Sequence, residues 1–329
     1  MVVCFEATQA PCGGFGTLSN GIINGLKKAG YTISEKNPDV LLAYGVDTEV
    51  REVRKRHPNT PLIYYTVWES SKYPEHWVKT AQEMKVDLIL TAAEYTKQSI
   101  IDSGWKGRVE VWHHGIDDVW QYRERKDDDI FTFIHYNAYE WRKGWDLVLG
   151  AFLKEFQTEE DVRLLFLARQ RDYANWLIPG NQNLDRPISF RNVEEKLGYF
   201  SREELANLIG SADVGVFPVH GEGWFLPATE CVAQGLPVIM PNQMAMAEQW
   251  NAGCIDVELD GYINVSPRYP GYMIQPSVDD LQKKMRWCYN NKDKCKEMGK
   301  AGSVEVHKRF SWDKIIKDLE VYLKLIGEK

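Results

Sequence analysis

The sequence predicts an α/β protein of two halves, each built on a parallel sheet with helices on its faces. Three observations carry that expectation. Short apolar runs alternate with amphipathic stretches over most of the chain, the pattern of repeated βαβ units. One highly charged interruption, DDVWQYRERKDDD at Asp117–Asp129, breaks the alternation and reads as a linker. The 329 residues suffice for two α/β cores of ordinary size.

In the first half, strands are expected at Val2–Phe5, Val40–Ala43, Leu62–Thr66, Leu88–Thr91 and Val109–His113. Helices are expected at Thr17–Ala29, His76–Met84 and Thr96–Ser103, with Gly30 and Gly104 placed to end the first and the last of them. The basic cluster Arg51, Arg54, Lys55 and Arg56, interrupted by Glu49 and Glu52, reads as the solvated face of another helix. The second half repeats the scheme: strands at Phe131–His135, Leu164–Leu167, Val214–Pro218 and Val238–Met240, helices at Trp145–Glu155 and Arg202–Gly210. After Val278 the pattern is helical to the end. The expected division is a first domain over 1–122, a second over 123–307, and a final segment, 308–329.

Composition narrows the function classes. With 44% hydrophobic and 26% charged residues the chain is globular rather than disordered. A net charge of −7 without a basic stripe gives no strong nucleic-acid signature. The six cysteines, Cys4, Cys12, Cys231, Cys254, Cys288 and Cys295, show neither Cys-x2-Cys spacing nor matched histidines, so no metal site is expected and reduced thiols are the default. No apolar run approaches the roughly 18 residues of a membrane span. A soluble, cytoplasmic protein is expected, with peripheral membrane contact unsupported.

The strongest chemical signal is EGWFLPATECVAQGLPVI, Glu222–Ile239, directly after the strand DVGVFPV. Ligands of open α/β sheets bind at the carboxyl ends of strands. Pro227 suits a first helical position, and the amides of Gly223, Trp224, Phe225 and Leu226 with that helix start form an anion site fit for a diphosphate. Glu222 and Glu230 beside phosphates would repel unless aimed at donors, and sugar or ribose hydroxyls are such donors. A second segment, YEWRKGWDLVLGAF at Tyr139–Phe152, offers Arg142 and Lys143 before a helix. The glycines of Gly13-Gly14-Phe15-Gly16 follow the first strand and allow close backbone approach to a ligand; an ordinary tight turn is an equal reading. They do not complete a G-x-G-x-x-G fingerprint, because Ser19 stands at the last position.

Together these residues resemble glycosyltransferase family 4, retaining enzymes of the GT-B architecture, in which two Rossmann-like domains face each other across a cleft. The resemblance implies that Glu222 lies near the transferred sugar and Glu230 binds the nucleoside ribose. Lys143 and Arg142 would clamp the donor diphosphate, with Gly14, Gly16, Pro227 and Thr229 around it. LGYFSREELANLIGSADVGVF, Leu197–Phe217, resembles the segment that borders the donor base, which places Tyr199 and Phe200 there. KRFSWDKIIKDLEVYLKLI, Lys308–Ile326, resembles the terminal helix that crosses back to the first domain.

The chain departs from that pattern twice. The usual Gly-Arg pair is replaced by His135, Tyr136, Asn137 and Ala138, and a histidine common near Trp68 is missing. Glu69, in YYTVWESSKYPEHW, is the candidate to contact acceptor or donor sugar, ahead of Trp68 and His76; a surface glutamate beside a buried tryptophan is the other reading. His113 and His114 are expected to be structural, and Asp127–Asp129 to be solvated charge.

The resemblance implies a metal-independent enzyme that needs no cofactor. It moves a sugar with retention from a UDP- or GDP-sugar to an acceptor that could be a glycan, lipid, protein or base, with Glu222, Lys143 and Glu69 at the reacting centre. A nucleotide-sugar epimerase and a non-catalytic nucleotide- or sugar-binding protein are the alternatives.

Overall fold

A computed structural model of the chain describes residues 1–7, 14–125, 130–169, 190–265 and 269–328. Gly13 and Asp127–Asp129, both singled out above, lie outside the described residues.

The first sheet contains β1 (Val2–Ala7), β2 (Thr32–Ile33), β3 (Val40–Tyr44), β4 (Leu62–Thr66), β5 (Leu88–Thr91) and β6 (Arg108–Val111). Their order is β2-β1-β3-β4-β5-β6, with every pairing parallel. The central strands VLLAY and LIYYT are buried along their whole length, as expected of parallel strands covered on both faces. Helices α1 (Gly14–Lys28), α2 (Asp47–Arg56), α3 (Glu75–Glu83) and α4 (Glu94–Asp102) connect them.

The second sheet contains β7 (Phe131–Tyr136), β8 (Val162–Ala168), β9 (Val193–Leu197), β10 (Val214–Val216), β11 (Val238–Met240) and β12 (Cys254–Asp256). It is also parallel throughout, in the order β12-β11-β10-β7-β8-β9. β7 is first in sequence and central in space, so the order of strand addition reverses between β7 and β10 while every strand stays parallel. A crevice at the carboxyl ends of those two strands is where such sheets bind ligands. Helices α5 (Trp145–Glu155), α6 (Arg202–Gly210) and α7 (Leu226–Ala233) belong to this half, followed by α8 (Val278–Asn290), α9 (Lys292–Phe310) and α10 (Trp312–Gly327).

All nine strands expected from the sequence are present. An antiparallel hairpin, β13 (Leu259–Val265) and β14 (Tyr269–Pro276), was not foreseen. It leaves the second half and packs on the first: Tyr269 and Met273 join the core formed by Tyr64, Trp68 and Tyr73. Tyr272 O accepts from Ser71 N at 3.0 Å, and Ser71 Oγ accepts from Tyr272 N at 2.9 Å. Gly271 has φ +86°, and a Cβ there would sit 2.4 Å from Ser71 Oγ. Glycine lets the hairpin approach this closely.

Two further crossings join the halves. The linker packs closely: Trp120 is fully buried, and Arg125 donates to the carbonyls of Gly210, Ala212 and Gln234. Helix α10 lies along α1, its Trp312 seated where a Cβ on Gly21 or Gly115 would collide with the indole. Trp312 Nε1 donates to Asp117 Oδ1 at 2.6 Å, and Trp112 Nε1 to the Ile315 carbonyl at 2.7 Å. Among the described residues, no helix is long and apolar enough to cross a membrane.

Candidate active site

The strand-to-helix segments after β7 and β10 are bound to each other before either meets the first half. After β7 the chain makes a 3-10 turn, Trp141–Lys143, that ends on Gly144 with φ +68°. A Cβ on Gly144 would lie 2.1 Å from the Pro218 carbonyl oxygen, so only glycine lets the turn sit against the end of β10. His220 N donates to the Arg142 carbonyl at 2.8 Å, and the His220 ring stacks on Trp141 at 4.0 Å. Its Nδ1 lies 2.9 Å from the Ile274 carbonyl oxygen on β14. Burial pulls His220 down to about 4 and His114 to about 3, so both imidazoles are neutral and structural near pH 7.

This framework sets one carboxylate against two cations. Glu222 Oε1 accepts from Lys143 Nζ at 2.5 Å and from Arg142 Nη1 at 2.8 Å. Arg142 also pairs with Glu140 and with Glu69, each at 3.3 Å. Glu69 comes from the loop after β4, so Arg142 forms an ion pair across the two halves. Burial, and then Arg142 alongside, pull the Lys143 ammonium below the ordinary lysine value; Glu222 opposes the shift. Burial raises the Glu69 carboxyl, with Arg142 opposing.

The approach of the halves is fixed by backbone. A Cβ on Gly221 would lie 2.1 Å from the Glu69 carbonyl oxygen, and one on Gly223 2.6 Å from Trp68 N. Gly14, at the start of α1, faces Leu226 across the same seam, where a Cβ would meet Leu226 Cδ1 at 3.8 Å. Gly16 is buried one turn-fraction along α1.

Helix α7 begins at Leu226 with Pro227 in its first turn, and Ala228–Ala233 are all buried. Thr229 Oγ1 donates to the Phe225 carbonyl at 3.0 Å, so that hydroxyl serves its own helix. Glu230 is 6% exposed. The Tyr136 hydroxyl stands 2.6 Å from Glu230 Oε2 and 2.7 Å from the Pro227 carbonyl oxygen. Arg202 Nη2 lies 3.9 Å from Glu230 Oε1 and 2.5 Å from Asp117 Oδ2. Burial pushes the Glu230 carboxyl up to about 7, with Tyr136 and then Arg202 drawing it back.

Most of the residues singled out in the sequence therefore meet at one seam: Gly14 and Glu69 from the first half, Arg142, Lys143, Glu222 and Gly223 from the second, and Leu226, Pro227 and Glu230 on α7. Trp224 and Phe225 are buried, Trp224 against His113 and His114 and Phe225 against Phe217. Trp68 is core, its indole donating to Ser70 Oγ and the Lys72 carbonyl, and His76 is exposed on α3. Phe200 packs against the core, whereas Tyr199 is 63% exposed under the Arg169 guanidinium at 4.1 Å.

Sequence reasoning missed Tyr136, Arg202 and Asp117 as neighbours of Glu230. One signal for Arg202 was present. It follows the N-cap Ser201, whose capping box with Glu204 opens α6, and a cation in a first helical turn opposes the helix dipole.

Two facing Rossmann-like sheets with a cation-lined seam define a GT-B glycosyltransferase architecture. Comparison with known proteins agrees. Residues 117–304 match the model of the family described as glycosyl transferases group 1. The chain belongs to that family. It is similar to an uncharacterized glycosyltransferase of Methanocaldococcus jannaschii, 24% identical over 236 residues. That match covers 70% of this chain and 57% of the relative, so the chain spans little more than half the length of that curated relative. Among solved structures it is similar to sucrose-phosphate synthase from Thermosynechococcus elongatus, with TM-score 0.72, 12% identity, and 100% and 99% of the two chains covered. Anabaena HepE in complex with UDP gives TM-score 0.72 at 11% identity, covering 98% of this chain and 99% of that one. At such identities the likeness shows the fold.

Proposed function

We propose that the chain transfers a sugar with retention from a nucleotide-diphosphate sugar, a uridine donor before a guanosine one, to an acceptor in the seam. The observation that carries this reading is Glu222 Oε1 held by Lys143 and Arg142 at the mouth of α7. Both cations sit where negative charge develops as a diphosphate departs, beside the free amides of a helix start. The diphosphate takes over Lys143 and Arg142, and Glu222 turns to hydroxyls of the transferred sugar. Glu230 accepts from the ribose hydroxyls. Glu69, tied to Arg142 at 3.3 Å, brings an acid of the first half to the same cation and is the proposed contact for the acceptor hydroxyl or the donor sugar.

HepE, a protein similar in fold, has been solved with UDP and with UDP-glucose, which supports testing uridine donors first. Lys143 and Arg142 would offset part of the charge on a leaving diphosphate, and catalysis is proposed to proceed without a metal or other cofactor. The test is a thermal-shift panel of UDP, GDP and their sugars, followed by assay of free nucleotide from the donor that stabilises most. Stabilisation by one nucleoside diphosphate, and its release in the presence of EDTA, are expected. Absence of a shift with every nucleotide would overturn the reading, and release that stops with EDTA would overturn the metal-independent part.

A further inference from the structure

Glu230 sits between two complete but incompatible proton arrangements. Tyr136 has one hydroxyl proton and two acceptors within reach, Glu230 Oε2 at 2.6 Å and the Pro227 carbonyl at 2.7 Å. If Glu230 is a carboxylate, Tyr136 donates to it and the Pro227 carbonyl goes without that bond. If Glu230 is protonated, it donates to the Tyr136 oxygen and Tyr136 donates to Pro227, so every group in the chain is satisfied. The neutral form is thus well accommodated, and burial favours it further. A neutral Glu230 has lost one of the acceptor oxygens that a pair of ribose hydroxyls needs.

Arg202 is the countervailing group. Among the described residues, the charged or titratable groups facing Glu230 are Tyr136 on β7, Arg202 on α6, Asp117 in the linker and Cys231 beside it on α7. Of these only Arg202 is a cation. Its guanidinium is fixed from three sides. Asp117 Oδ2 lies 2.5 Å from Nη2, Thr17 Oγ1 on α1 accepts from Nη1 at 3.2 Å, and the Trp120 ring lies 5.1 Å below. Asp117 also competes with Glu230 for the same charge.

We propose that Arg202 is a positioning residue for the donor nucleoside: anchored by Asp117, Thr17 and Trp120, it keeps Glu230 in the carboxylate form that accepts ribose hydroxyls, against the Glu230–Tyr136–Pro227 arrangement. The coupling of Arg202 to Glu230 stands on geometry alone, and its use for the ribose rests on the proposed function. Because Thr17 and Asp117 belong to the first half and the linker, the ionisation of Glu230 is linked to how the halves sit together. Opening the seam loosens Arg202 and lets the neutral form in.

The two parts are tested separately. Urea unfolding of the whole chain from about pH 4 to 9 reads the titration of Glu230 without any ligand. Relative to Glu230→Gln, the wild-type profile should fall as Glu230 ionises and level off just above 7, the value to which burial pushes the carboxyl. Arg202→Met should move that levelling up by about one pH unit, a tenfold change in the protonation ratio. Arg202→Lys should stay close to wild type. In a Glu230→Gln background that displacement should not remain. Identical profiles with and without Arg202, or a displacement that survives in Glu230→Gln, would overturn the coupling.

Binding of UDP-glucose, whose diphosphate diester keeps its charge across this range, then tests the ribose role. Affinity for Arg202→Met should be about threefold weaker at pH 7.5, approach tenfold weaker near pH 6 and recover by about pH 9. A loss equal at every pH marks a merely structural arginine. Unchanged binding in Glu230→Gln would remove the ribose role while leaving the coupling intact.

Discussion

Glu222 and Glu230 flank the start of one short helix and are both nearly inaccessible, 5% and 6% exposed, yet they live in opposite surroundings. Glu222 meets two cations at 2.5 and 2.8 Å. Glu230 meets a phenol at 2.6 Å and a cation no nearer than 3.9 Å. The first end is charge-saturated and suited to exchanging partners with a phosphate. The second is balanced near neutrality and suited to hydroxyls. Burial alone therefore does not decide what a carboxylate does; the sign and distance of its neighbours do.

The sharpest break of this comparison is Glu222→Ala. It removes the carboxylate paired with Lys143 and leaves Arg142 with Glu69 and Glu140. Removing one member of a buried ion pair costs about 3–5 kcal/mol, which a urea midpoint should register. Glu230→Gln should act in the opposite direction. The folded-state value of about 7 exceeds the ordinary 4.5, so this carboxyl favours folding fully below about pH 4.5 and loses that advantage as pH rises through 7. The glutamine variant should then be more stable than wild type by roughly 3 kcal/mol at pH 8 and equal to it near pH 4.

Lys143→Ala should lower nucleotide release by about 10²-fold, the usual loss when one group stabilising a developing charge is removed. Gly223→Ala places a Cβ 2.6 Å from Trp68 N, an overpacking that costs about 1–3 kcal/mol, visible as a lower Tm with a parallel fall in turnover. Tyr199→Ala should do least. The ring is 63% exposed, and a donor KM within about threefold of wild type is expected, since surface changes stay near ±0.5 kcal/mol. A tenfold rise would instead seat the donor base on that ring.

The same contrast explains what the sequence made legible. Buried parallel strands such as LIYYT declare themselves by unbroken apolar runs, and Glu222, Glu230, Arg142 and Lys143 by their place in motifs at strand ends. β9 (VEEKL) is a charged edge strand that shows neither apolar run nor alternation, and the hairpin segments LDGYINV and YPGYMIQP carry Gly, Asp and Pro that read as loop. Tyr136, Arg202 and Asp117 surround Glu230 only after three separate segments have folded together, a proximity that no local spacing encodes. The stretch that departs from the Gly-Arg pattern holds Tyr136, whose hydroxyl contact with Glu230 no motif announces.

The β13–β14 hairpin has a consequence for exchanging parts among relatives. It is encoded late in the chain, yet its Tyr269 and Met273 complete the core under Trp68 and its backbone is stitched to Ser71. A chimaera that swapped only residues 1–122 would graft a foreign surface onto this ribbon and lose the fit of Gly271 against Ser71 and Lys72. Inheritance of the first half is therefore tied to a segment more than a hundred residues downstream, and the smallest portable unit of that half includes residues 259–276.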